Sequence, residues 1–166
     1  KTVGTGKTVT ISGMTISGAD SANYTLTQPT TTANITQKTL TVTGVTGDNK
    51  VYDGTTTATL SGAPSLVGVI AGDVVSLDTS GVTSTFDNKN VGAAKPITIT
   101  GAALTGADAV NYSLTAPSVT ADITQKILTV SGVAANNKVY DGATSAAIDV
   151  SGATLTGVIG GDIVNL

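Results

Sequence analysis

Residues Val91–Gly132 read VGAAKPITITGAALTGADAVNYSLTAPSVTADITQKILTVSG, and residues Val3–Gly44 read VGTGKTVTISGMTISGADSANYTLTQPTTTANITQKTLTVTG. Both stretches alternate apolar and small polar side chains. In Ile97-Thr98-Ile99-Thr100, Tyr112-Ser113-Leu114-Thr115 and Ala121-Asp122-Ile123-Thr124 one face is greasy and the other is wet. A period of two is the signature of a half-buried β-strand. Tyr24 aligns with Tyr112, an offset of 88 residues. All eight lysines obey the same offset: Lys1 with Lys89, Lys7 with Lys95, Lys38 with Lys126 and Lys50 with Lys138. The chain is therefore a tandem repeat.

Working outward, Tyr52-Asp53-Gly54 recurs as Tyr140-Asp141-Gly142, and Gly72-Asp73 recurs as Gly161-Asp162 at an offset of 89, which implies one inserted residue. Three segments follow: 1–37 closes one repeat, 38–125 is one complete repeat, and 126–166 opens the next. The chain starts and stops inside a repeat, so we expect a slice of a longer array. The opening and closing portions together approximate one whole repeat. Identical chains that complete each other end to end are a further expectation.

Nothing in the sequence favours helices. Thr supplies 32 of 166 residues and Gly 20, and both disfavour helix interiors. β-Branched Thr suits the solvent face of a sheet. In the complete repeat we expect seven strands near 39–44, 57–62, 73–77, 81–87, 95–101, 111–116 and 119–125. The expected fold class is all-β: tandem Ig-like antiparallel β-sandwich repeats, with a β-grasp-like mixed sheet as the alternative. The spacing of Asp20 to Tyr24 and of Asp108 to Tyr112, each at the mouth of a strand, is similar to the tyrosine corner of such sandwiches.

The segments Lys50-Val-Tyr-Asp-Gly-Thr-Thr, Gly72-Asp73-Val74-Val75, Phe86-Asp-Asn-Lys-Asn-Val-Gly92, Leu104-Thr-Gly-Ala-Asp-Ala-Val-Asn-Tyr112 and Ile123-Thr-Gln-Lys126 together resemble the YDG-type repeat domains of large bacterial surface and secreted proteins, including filamentous-haemagglutinin-like adhesins. The resemblance covers the whole repeat, in order. It implies extracellular tandem domains, at the bacterial surface or secreted, that build a stalk or fibre. It implies no enzyme activity. The partners it implies are neighbouring repeats or identical chains in a fibre.

Composition narrows the chemistry further. There is no Cys and no His, so disulfides, thiolate zinc sites and histidine bases are excluded. All eight positive charges are Lys and all eleven negative charges are Asp. A net charge of −3 without Arg argues against nucleic acid as a partner. No apolar run has the length of a membrane span. No catalytic residues and no metal ligands are assigned. The Tyr-Asp-Gly motifs read as turns in which Gly takes positive φ, Asp bonds the backbone and Tyr packs at a domain junction. Asp48, Asp53, Asp73 and Asp87 could supply oxygen ligands to calcium, but their spacing fits no calcium loop. Two rival roles stay open beside the stalk: an adhesive module for a host glycan or protein, and a calcium-rigidified spacer.

Overall fold

The computed structural model describes residues 1–166. It is all-β. Fifteen strands run in chain order: β1 (Gly4–Thr10), β2 (Thr30–Ile35), β3 (Lys38–Gly47), β4 (Lys50–Val51), β5 (Leu60–Val67), β6 (Ser76–Asp78), β7 (Thr83–Phe86), β8 (Gly92–Thr100), β9 (Ala103–Thr105), β10 (Tyr112–Thr115), β11 (Val119–Thr124), β12 (Thr129–Ser131), β13 (Ala134–Ala135), β14 (Ile148–Asp149) and β15 (Thr154–Thr156). The only helical turns are two 3-10 turns, Ser21–Asn23 and Ala109–Asn111, each ending on the Asn that precedes Tyr24 or Tyr112.

The chain divides into two compact units that interleave in sequence. The first comprises Lys1–Gly44, Ala63–Thr83 and Thr100–Pro117. In it, β1 and β2 form an antiparallel hairpin. The strand β3 lies between β10 and β5. β6 pairs with β9. Leu40, Val42 and Tyr112 are its buried side chains. Leu40 and Val42 sit two apart on β3, so they point to the same face.

The second unit comprises Val45–Gly62, Ser84–Ile99 and Ser118–Leu166. Its main sheet has the order β4-β11-β8-β7, and two small antiparallel pairs, β12–β15 and β13–β14, come from the third repeat. Ala58, Phe86, Ile97, Ala121 and Ile123 form its core, with Tyr52, Leu60, Ile99 and Val119 packed against them. The alternation seen in sequence explains this set, because Ala121 and Ile123 share the inner face of β11 while Thr120 and Thr124 face outward.

Two features depart from the sequence reading. The pairs β10–β3 and β11–β4 are parallel, joining Tyr112 to Lys38 and Ile123 to Lys50. Alternation fixes which face a residue takes but not the direction of the neighbouring strand, so only the fold reveals it. The strand expected near 57–62 is displaced to Leu60–Val67, and an additional strand, β9, forms between those expected near 95–101 and 111–116.

The repeats reproduce one another to the residue. β1–β2 pairs Lys7 with Ala33, Thr8 with Thr32 and Val9 with Thr31, with a bulge before Lys7. β8–β11 pairs Lys95 with Ala121, Pro96 with Thr120 and Ile97 with Val119, with a bulge at the matching place. Gly44 and Gly132, both at positive φ, each turn toward a carbonyl, that of Ala63 and that of Gly152, so close that a Cβ would collide with it. Burial does not follow the repeat. Ile123 is 1% exposed while its counterpart Ile35 is 42% exposed.

That contrast gives a paired test. Ile123→Ala should cost about 2–5 kcal/mol, the usual loss for truncating a buried Ile. Ile35→Ala should change stability by no more than about 0.5 kcal/mol in dilute solution. Urea denaturation of the two variants beside the parent chain measures both.

Candidate functional site

No three acidic side chains come together in this fold to hold a metal ion. What the fold does gather is a set of aspartate-centred contacts, and most residues singled out from the sequence belong to them.

In the first unit the turn at Gly72-Asp73 is closed by the Asp73 N–H bonding the Ile70 carbonyl at 3.0 Å. Lys1 Nζ reaches Asp73 Oδ1 at 2.7 Å, and the Tyr112 hydroxyl donates to Asp73 Oδ2 at 2.7 Å. The same phenol oxygen accepts the Ile70 N–H at 3.1 Å. The backbone group that Tyr112 bonds therefore lies 42 residues upstream. Asp108 instead accepts the Val74 N–H at 2.9 Å, while its own N–H bonds the Val74 carbonyl. Asp108 and Tyr112 thus grip the same turn from two points.

A second aspartate repeats the arrangement in the other unit. Asp162 N–H bonds the Ile159 carbonyl at 3.0 Å, which is the same turn at the repeat offset. Lys89 Nζ reaches Asp162 Oδ1 at 2.9 Å. Asp162 Oδ2 accepts a tyrosine hydroxyl at 2.6 Å, but from Tyr52 of the Tyr-Asp-Gly motif. Lys89 also lies 5.8 Å from the centre of the Tyr52 ring, within cation–π range. Residues of the complete repeat are tied here to a turn of the next repeat, across 110 positions of sequence.

The other two residues of each motif build a local clamp. Asp53 Oδ1 accepts the Thr55 N–H at 2.9 Å, and Gly54 takes φ +80°. Lys50 Nζ sits over this turn, 2.8 Å from Asp53 Oδ1 and within hydrogen-bond reach of the Thr55 and Thr57 carbonyls. Lys138, Asp141 and Gly142 repeat it, with Lys138 Nζ 2.7 Å from Asp141 Oδ1 and Ala143 donating its N–H to the same oxygen. The clamp thus survives the loss of the Thr55 hydroxyl. Tyr140 itself is 93% exposed, and Tyr24 is 71% exposed beside its 3-10 turn. Asp20 caps that turn only through its carbonyl, which accepts the Asn23 N–H at 3.0 Å.

Sequence reasoning paired Lys95 with Lys7 as a recurring lysine but expected it to be solvated. It is buried, with Nζ 2.9 Å from Asn88 Oδ1 and 2.8 Å from Asp87 Oδ1. Its place on the inner face of β8, two residues before Ile97, was the available signal. Lys95 holds the Asp87 carboxyl below its usual range, so the acid is a charged acceptor in an ion pair.

Opposite charges and donated hydrogen bonds favour the ionised carboxyl. Asp53 is lowered from 3.8 to about 2, chiefly by Lys50. Asp73 is lowered first by Lys1 and then by Tyr112, and Asp162 first by Tyr52 and then by Lys89. A depressed carboxyl pKa stabilises the fold above its unfolded value, and that contribution disappears as pH falls toward the folded value. Stability should therefore fall between about pH 4 and pH 2. Tyr52→Phe should move the Asp162 titration midpoint upward, toward 3.8. Carboxyl NMR titration of both chains reads this directly, and an unmoved midpoint would show that the hydroxyl bond does not form in solution.

Comparison with known proteins follows the same repeat. No curated protein and no solved structure matches the chain. The YDG domain model matches it three times in succession, over residues 1–33, 36–121 and 124–166. The chain, whose Tyr-Asp-Gly turns and aspartate contacts have just been described, belongs to the YDG domain family.

Proposed function

We propose that this chain is a load-bearing repeat module of a stiff extracellular stalk or fibre, of the kind carried by bacterial filamentous-haemagglutinin-like adhesins. The observation that carries the reading is the tie from Tyr52 and Lys89 to Asp162, which joins one repeat to the next through a charged, hydrogen-bonded contact. The joints between repeats are short as well. Only Thr36 and Gln37 separate β2 from β3, too few residues for a flexible linker.

The chemistry of the side chains supports an exposed structural role. A chain without Cys and with one Met offers little to oxidants. Threonine faces hydrate without charge, so they are little affected by salt. The reading includes no catalytic step. A ladder pulled along its strands breaks several hydrogen bonds together, and the parallel pair β10–β3 joins residues 74 apart, so extension must shear it before the intervening chain is released.

Single-molecule force spectroscopy of the chain, pulled from its two ends, tests the mechanical part. Discrete unfolding peaks are expected, with Tyr52→Phe lowering the force of at least one. Smooth extension like that of an unstructured linker would refute it. Protease shaving of intact producing cells tests the location: the repeats should be cleaved without lysis.

A further inference from the structure

We infer that the Lys95 amine and the Asn88 carboxamide join in an intramolecular isopeptide bond, with Asp87 carrying the protons. The inference concerns the covalent structure of the chain, so it goes beyond the stalk reading and does not rest on it. It comes from the turn between β7 and β8, where a nucleophile, an electrophile, a base and an oxyanion donor stand within hydrogen-bond reach of one another.

Lys95 is the one charged residue that this fold buries. It faces the buried Ala121 across β8–β11 and stands two residues before the buried Ile97, so its stem lies against the core. A Cβ on Gly92 would come within 3.3 Å of Lys95 Cγ and Cδ, so the bare backbone there leaves the stem its room. Packing of this kind holds the amine in one place, which removes most of the entropic cost of bringing two reacting groups together. A lysine amine freed of its proton is a good nucleophile toward a carbonyl carbon.

The groups around that amine are the ones the reaction needs. Lys95 Nζ donates to Asn88 Oδ1 at 2.9 Å and lies 2.8 Å from Asp87 Oδ1. The other Asp87 oxygen, Oδ2, accepts from Asn88 Nδ2 at 2.8 Å. One carboxylate therefore touches both the attacking nitrogen and the nitrogen that must leave. Asn90 donates its backbone N–H to Asn88 Oδ1 at 2.9 Å, where it polarises the carbonyl and meets the negative charge that attack places on that oxygen. The amide can face only this way, because a flipped Asn88 would turn its NH2 group toward two other donors. Of the five lysines in ion pairs, Lys95 alone also holds a side-chain carboxamide; Lys50, for example, is surrounded by Asp53, a hydroxyl and backbone carbonyls.

The steps balance without any outside reagent. A proton passes from Lys95 Nζ to Asp87 Oδ1, which leaves a neutral amine and a carboxylic acid. The amine lone pair attacks Asn88 Cγ, and the C=O electrons move onto Oδ1. Asp87 gives its proton to Nδ2 and takes another from Nζ. The C–Nδ2 bond then breaks, Oδ1 re-forms its double bond, and ammonia leaves. Ammonia takes the last proton from Asp87, so the carboxylate is restored and the net change is one ammonium ion released for one amide formed. Asn88 lies exposed at the surface, which gives the ammonia a way out. The new bond ties residue 88 to residue 95 and locks the turn that carries Lys89, the lysine paired with Asp162.

Mass spectrometry of the denatured full chain, after incubation in the folded state checked by circular dichroism, tests this. The expected mass is that of the sequence less one ammonia. Trypsin cuts after Lys50, Lys89 and Lys126, so peptides 51–89 and 90–126 should stay joined after digestion, and fragmentation should place the link at residues 88 and 95. Lys95→Arg keeps the positive charge but removes the nucleophile, and it should show the full sequence mass and two separate peptides. Asp87→Ala should slow bond formation by about 10²–10⁴-fold, the usual contribution of a positioned acid–base group. Circular dichroism checks the fold of both variants. A folded parent chain with the full sequence mass overturns the inference. So does a loss of ammonia with the two peptides separate, which marks a succinimide at Asn88, and so does a loss of water with the link at Asp87.

Discussion

Half of a repeat cannot bury its own apolar face, and the rest of the architecture depends on this. A strand with one greasy side needs a layer against it. In the complete repeat that layer comes from far along the chain: Leu40 and Ile123 are the two most fully buried large side chains, and both lie on strands with parallel partners over seventy residues distant. In residues 1–37 the same sequence positions are exposed. Val9, Tyr24 and Ile35 are the counterparts of the buried Ile97, Tyr112 and Ile123. The local hairpin β1–β2 nevertheless keeps the register of β8–β11, so pairing is a local property and burial is not. Repeat proteins generally divide their stability between intrinsic and neighbour terms in this way.

Aspartate supplies the neighbour contact because of its reach. At Gly72-Asp73 and Gly161-Asp162 the backbone turn is closed by the aspartate's own N–H, which fixes where a short carboxylate points. Lysine takes Oδ1 in both cases and tyrosine takes Oδ2. A longer acid would lose that aim to rotamer freedom. Tyrosine fits the other side because its rigid ring packs on aliphatic neighbours while its hydroxyl meets the charge. In a protein where charge is sparse, five of the eight lysines lie in ion pairs with aspartate.

Much of this was readable before the fold. Alternation located the strands and their inner faces, as at Ala121 and Ile123, because a period of two translates directly into sides of a sheet. The offset of 88 picked out Tyr52, Asp53, Tyr112 and the lysines as a recurring set. Their meeting points were not readable. Tyr52 and Asp162 stand 110 residues apart, and neither carries a local sign of the other. Strand direction was equally hidden, since β10 would alternate in the same way whether parallel or antiparallel to β3. The burial of Lys95 was not readable either, because a lysine at a strand end is usually solvated; here Asn88 and Asp87 fold over its amine.

The one-residue insertion in the third repeat shows which features the fold holds fixed. Asp149 has no counterpart in the complete repeat. Its side chain accepts the Ser151 N–H at 2.9 Å, and Ala153 N–H bonds the Val150 carbonyl at 2.9 Å, so the extra residue is absorbed in a small turn. Beyond that turn the pattern is restored. Val130 faces Leu155, and Ser131 bonds Thr154 through their hydroxyls, as Thr43 bonds Ser65. Gly132 again approaches a carbonyl that only glycine can tolerate. Asp162 consequently arrives at its turn seven residues after Leu155, the spacing that Asp73 keeps from Leu66. The length between Tyr-Asp-Gly and Gly-Asp is therefore free to vary, while the geometry that brings a carboxylate to Lys89 and Tyr52 is not.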